Sequence, residues 1–140
     1  MQPVDFEEVL ERIQRTDARY QRDAYLFLRE ALDYTQKSVA KANKGEPRHV
    51  TGQELLEGIR EYGLSQYGPM TQFVFNAWGL SRCEDWGEIV FNLIEHNLLR
   101  RTERDSRADF GGAYDFGEAF CKPFLPTTRA RRGAPEAKAS

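Results

Sequence analysis

The chain has 140 residues, 40% of them hydrophobic and 30% charged, and a formal net charge of −2. That is the composition of one globular domain with enough aromatic bulk for a core, and no stretch approaches the roughly 18 consecutive apolar residues of a membrane helix. The start, Met1-Gln2-Pro3-Val4-Asp5, lacks the basic and apolar runs of a secretory signal, so the expected setting is the cytoplasm, with Cys83 and Cys121 as free thiols.

Asp5 is expected to cap a first helix, with Glu8 three residues on and Phe6, Val9, Leu10 and Ile13 at helical spacing. A second helix carries Tyr20, Ala24, Phe27, Ala31 and Tyr34, widened by Leu28 and Leu32, and such a wide stripe faces a core. Asn43-Lys44-Gly45 should stop it near Ala42. After a polar connection over 43–50, Thr51-Gly52-Gln53-Glu54 reads as a capping box opening a helix with Leu55, Leu56, Ile59 and Tyr62. A short helix follows from about Met70 to Trp78, and Ser81-Arg82-Cys83-Glu84 reads as a second capping box. The helix it opens places Trp86, Ile89, Val90, Leu93 and Ile94 on one side.

Beyond His96-Asn97 the sequence mixes apolar and basic residues, and Ala113-Tyr114-Asp115-Phe116 alternates as a strand would. A β-hairpin is therefore expected over about 98–117. Phe120-Cys121-Lys122-Pro123-Phe124 should return an aromatic ring to the body. Three helices and a hairpin over 51–117 match the order of a winged helix. The predicted fold is mainly α with an α+β element: a helical bundle whose N-terminal helices (5–42) pack on a winged-helix-like module (51–117). Residues 1–125 form the expected single domain, and 126–140, without a large apolar residue, an expected disordered tail.

The segment Tyr20-Gln21-Arg22-Asp23-Ala24-Tyr25-Leu26-Phe27-Leu28-Arg29-Glu30-Ala31-Leu32 resembles the most distinctive stretch of a family of small uncharacterised bacterial proteins. Tyr67-Gly68-Pro69-Met70 and Trp86-Gly87-Glu88-Ile89-Val90-Phe91-Asn92-Leu93-Ile94 are similar as well. The resemblance spans about residues 5–122. It implies one domain and brings no activity, cofactor or site residue with it.

Chemistry-bearing residues are sparse. His49, Cys83, His96 and Cys121 are isolated from one another, without the close ligand pair that a zinc site uses. His96 is expected in the last turn of its helix, where a cation meets the dipole favourably. Cys83 lies near a helix start, which favours a thiolate, but its acidic neighbours Glu84 and Asp85 oppose one. Glu84, Asp85 and Glu88 suit a helix N-terminus better than acid–base catalysis. No catalytic residue, metal ligand or cofactor is therefore assigned, and an enzyme is the third reading.

Charge is uneven along the chain. Residues 1–95 hold 11 Lys and Arg against 16 Asp and Glu, while 96–140 hold 9 against 6. Arg100, Arg101, Arg104 and Arg107 in the expected hairpin, with Arg129, Arg131 and Arg132 beyond it, are the candidate nucleic-acid contacts. The helix that would enter a groove argues the other way: it carries Glu84, Asp85, Glu88 and Glu95, and no Lys or Arg from 84 to 99. The leading expectation is a non-enzymatic module that binds a protein partner or a second copy. Tyr20, Tyr25, Tyr34, Tyr62, Tyr67, Trp78 and Trp86 exceed what a small core needs, and any left exposed together would mark that surface.

Overall fold

The computed structural model describes residues 6–45, 50–99 and 110–124, and all of the regular structure in them is helical. Five α-helices follow in order: α1 (Phe6–Thr16), α2 (Arg22–Ala42), α3 (Gly52–Tyr67), α4 (Thr71–Ala77) and α5 (Cys83–Glu95). A 3-10 turn, Gly68–Met70, joins α3 to α4. The C-terminal described segment ends in a π-helical turn, Gly117–Cys121, and a 3-10 turn, Lys122–Phe124.

The helices end where chain geometry forces them to. At the end of α4 the Leu80 N–H donates to the Phe75 carbonyl (2.9 Å) and Gly79 N–H to that of Asn76 (3.0 Å). This paired closure needs a left-handed residue, and Gly79 supplies it at φ +99°. A side chain there would also collide with the Arg19 carbonyl, 2.3 Å from where a Cβ would stand. The same closure ends α5, with Asn97 at φ +62° and Leu98 N–H bonded to the Leu93 carbonyl at 2.9 Å. Asn97 carries the left-handed position because its short polar side chain tolerates it.

α2 lies at the centre of the molecule. Its buried face of Ala24, Tyr25, Phe27, Leu28 and Ala31 meets α1 on one side and α3 on the other. α2 and α3 approach closely at Gly58, where an added Cβ would fall 1.8 Å from Thr35 Oγ1. The buried Thr35 hydroxyl is satisfied by the Ala31 carbonyl at 2.7 Å. Phe75, fully buried, joins the layers: its ring centroid lies 5.2 Å from Phe27, 5.1 Å from Trp86 and 5.2 Å from Phe120. Each such side chain contributes roughly 1.5–3 kcal/mol by burial alone. The Trp86 indole N–H has no hydrogen-bond acceptor within this ring cluster.

The winged-helix expectation fails at its hairpin. Among the described residues there is no strand, and Ala113-Tyr114-Asp115-Phe116 leads into a helical turn, with Phe116 at φ −60° and ψ −39°. The four-residue alternation was outweighed by the next turn. Phe116 and Phe120 stand one helical turn apart, and both are buried with ring centroids 5.1 Å apart. Asp115 starts the turn, its carboxylate accepting from Glu118 N–H at 3.2 Å and its carbonyl from Ala119 N–H at 2.8 Å. Extending this segment as a strand would hold the two residues about 13 Å apart, too far for both rings to pack on each other and on Phe75 as they do. The arginine-rich part of the expected hairpin, 100–109, and the expected tail lie outside the described residues.

Candidate functional site

The residues singled out for chemistry do not converge. Arg100, Arg101, Arg104, Arg107, Arg129, Arg131, Arg132 and His49 lie outside the described residues. Cys83 is buried, its thiol donating to the Tyr114 carbonyl at 3.3 Å, and burial pushes that thiol up from its ordinary pKa. Cys121 is exposed instead, with its Sγ 2.7 Å from Gln72 Oε1. The two cysteines thus occupy different environments, one inert and one accessible. His96 caps the C-terminus of α5, where its Nδ1 lies 2.9 Å from the Asn92 carbonyl. Among the described residues no group of three His, Cys, Asp or Glu side chains is placed to hold a metal ion.

The acidic cluster is divided among structural tasks. Asp85 accepts from the Ser81 and Arg82 backbone N–H groups (2.9 and 3.1 Å) at the N-terminus of α5. It also accepts from the Tyr20 hydroxyl at 2.9 Å, which with burial raises that phenol's pKa. Glu88 reaches Arg19 at 3.3 Å. The same Arg19 forms a double hydrogen bond with Asp17, at 2.9 and 2.7 Å. Asn92 then donates to both Asp17 (3.0 Å) and the Tyr25 hydroxyl (3.0 Å). Asp17 is held well below the usual carboxylate range, chiefly by the Arg19 side chain. Every member of this network has a partner inside it, and its effect is to clamp the α1–α2 connection onto α5.

The surface that is not absorbed by the core lies elsewhere. Tyr20, Tyr25 and Trp86 are buried, whereas Tyr34, Tyr62, Tyr67 and Trp78 are half-buried. The half-buried four form two pairs, Tyr34 with Tyr62 and Tyr67 with Trp78, joined beneath the surface by the buried Phe27. Centroids are 5.4 Å apart for Tyr34–Tyr62 and 5.9 Å for Tyr67–Trp78, with Phe27 linking the pairs at 5.4 Å to Tyr62 and 6.0 Å to Tyr67. Acids anchor the hydroxyls: Tyr34 donates to Glu61 at 3.2 Å and Tyr62 to Glu30 at 2.9 Å.

Among the described residues the exposed large apolar side chains are Phe73 at 67%, Met70 at 52% and Phe124 at 46%. Met70 and Phe73 flank the start of α4, against which the Gly117–Cys121 turn packs, and Cys121 bonds Gln72 across that junction. The sequence reading placed Phe73 with Val74, Ala77 and Trp78 on the short helix and Phe124 in the segment that returns a ring to the body; Phe75 and Phe120 take the buried places instead. Phe73 and Phe75 have the same composition signal, and only the packing of α4 tells the exposed ring from the buried one. No family model matches the chain, and no curated protein or solved structure matches it either.

Proposed function

We propose that the protein is a non-enzymatic interaction module of bacterial, cytoplasmic origin that binds a protein partner or a second copy of itself. The contact would form through Met70, Phe73 and Phe124 and the half-buried aromatic pairs. One observation carries this reading: Phe73, a large apolar ring, is two-thirds exposed at the head of α4, one helical turn from the exposed Met70. Exposed apolar clusters of this kind mark contact surfaces, and aromatic anchors dominate the energy of such contacts. The network of Asp17, Arg19, Asp85, Glu88 and Asn92 serves the fold, and this supports binding over catalysis at those residues.

Sedimentation velocity across a concentration series, on the full chain and on Phe73→Glu and Met70→Glu, tests the reading. Self-association in the parent that both substitutions abolish supports a second copy as partner. Should the parent stay monomeric, a partner purified with it should bind both variants at least about tenfold more weakly, the loss expected for a central anchor. Unchanged affinity in both variants would sink the proposal.

A second reading rests on the excess of Lys and Arg over acids in residues 96–140. It predicts nucleic-acid affinity that falls steeply with salt. Fluorescence anisotropy at low salt, on the parent and on a variant with Arg100, Arg101, Arg104 and Arg107 changed to Ala, separates the two readings. Absence of binding there removes the second.

A further inference from the structure

A separate apolar hollow of about 260 Å³ opens between Phe6 of α1, Leu28 and Leu32 of α2, and Leu93 and Leu98 at the end of α5. Its deepest side chains, Leu28 and Leu93, are fully or almost fully buried. The lining side chains named offer no hydrogen-bonding atom, so the hollow suits neither a sugar nor a nucleobase. A cavity of about 150 Å³ lined by such side chains stays dry and takes up benzene. This one is large enough for a ring or a short alkyl chain with a substituent.

Among the described residues, Arg29 supplies the one charge in its lining. Its guanidinium carbon lies 4.6 Å from the Phe6 ring centroid, over the face of the ring. The neighbouring acids are engaged elsewhere: Glu30 accepts from the Tyr62 hydroxyl at 2.9 Å, and Asp33 pairs with Lys37 at 3.0 Å. Arg29 is exposed and forms no ion pair with a described residue. A planar guanidinium at the rim of an apolar hole matches one carboxylate on an apolar body.

We propose that this hollow binds a small monocarboxylate whose apolar body is one aromatic ring or a short alkyl chain, with Arg29 taking the carboxylate. The site involves other elements than the Met70–Phe73–Phe124 surface and does not depend on it.

The test is a methyl- and aromatic-resolved NMR titration of the full chain with 3-phenylpropionate and, separately, with the uncharged 3-phenylpropan-1-ol. The acid should bind about tenfold more tightly than the alcohol, the difference expected of one charged hydrogen-bonding pair, with shifts centred on Leu28, Leu32 and Leu93. Arg29→Gln, on an exposed side chain, should keep the fold and remove the preference for the acid. Leu98→Phe, which fills the half-buried side of the hollow, should weaken both probes. Equal binding of the acid by parent and Arg29→Gln would overturn the proposal. So would an absence of shifts at these leucines at millimolar probe, including the case where this face proves to be covered by a second copy.

Discussion

The carboxylate of Asp17 gathers the Arg19 side chain, the Arg19 N–H at 3.1 Å and the Asn92 amide. Its pKa when folded lies below the ordinary 3.8, mainly because of the Arg19 bond, with burial pulling the other way. A depressed carboxylate stabilises the fold above its unfolded value, and that contribution is lost as pH falls toward the folded value. Asp17→Asn should therefore cost about 1 kcal/mol at neutral pH. It should also flatten the loss of stability between about pH 4 and about pH 2. Urea melts at several pH values read both effects, and an unchanged acid limb would show that the clamp contributes nothing. The cysteines give a simpler check. In the native protein Cys121 should react readily with a thiol reagent while Cys83 reacts only after unfolding, since its thiol is buried against the Tyr114 carbonyl. Equal native rates would contradict the packing around Cys83.

The α2–α3 crossing is an element-scale feature that rests on one missing side chain. Gly58→Ala places a Cβ 1.8 Å from Thr35 Oγ1, so the helices must part or Thr35 must rotate away from Ala31. A loss of about 1–3 kcal/mol is expected, partly recovered in Thr35→Ala/Gly58→Ala, because the two changes share one site. At the head of α3, Thr51 Oγ1 accepts from Glu54 N–H (3.1 Å) and Glu54 returns a bond from Thr51 N–H (3.0 Å). Thr51→Ala should cost about 1 kcal/mol in thermal or urea unfolding.

That box was legible in the sequence because every partner lies within one turn. So were the five helices, whose apolar faces repeat at helical spacing. At Ser81 the reading slipped by one residue: Asp85 rather than Glu84 returns to the backbone, and Arg82 occupies the cap position. The expected hairpin misled more seriously, since alternation over four residues cannot be told from a turn whose next apolar residue falls four positions on. The clamp was not legible, because Asp17 and Asn92 are 75 residues apart. The exposed trio was hidden for a related reason: only long-range packing decides which aromatic of α4 faces inward.

At the scale of the whole molecule, one set of buried side chains runs from Val9 of α1 to Phe120, shared by every helix. No described helix is long and apolar enough to cross a membrane. The core is also interleaved. The α1–α2 connection is tied to the α4–α5 turn by Gln21 N–H on the Trp78 carbonyl, at 2.9 Å, and to α5 itself through Asp17, Arg19 and Tyr20. As the chain is synthesised, α1 and α2 emerge first without the surfaces they need. The sides of Phe27 and Leu28 that meet Trp86 and Leu93 remain open until α5 leaves the ribosome, so a nascent chain halted at Leu80 lacks one wall of its interior. Until then that wall is exposed, the interval in which a newborn chain of this sequence is most open to aggregation or to capture by a chaperone.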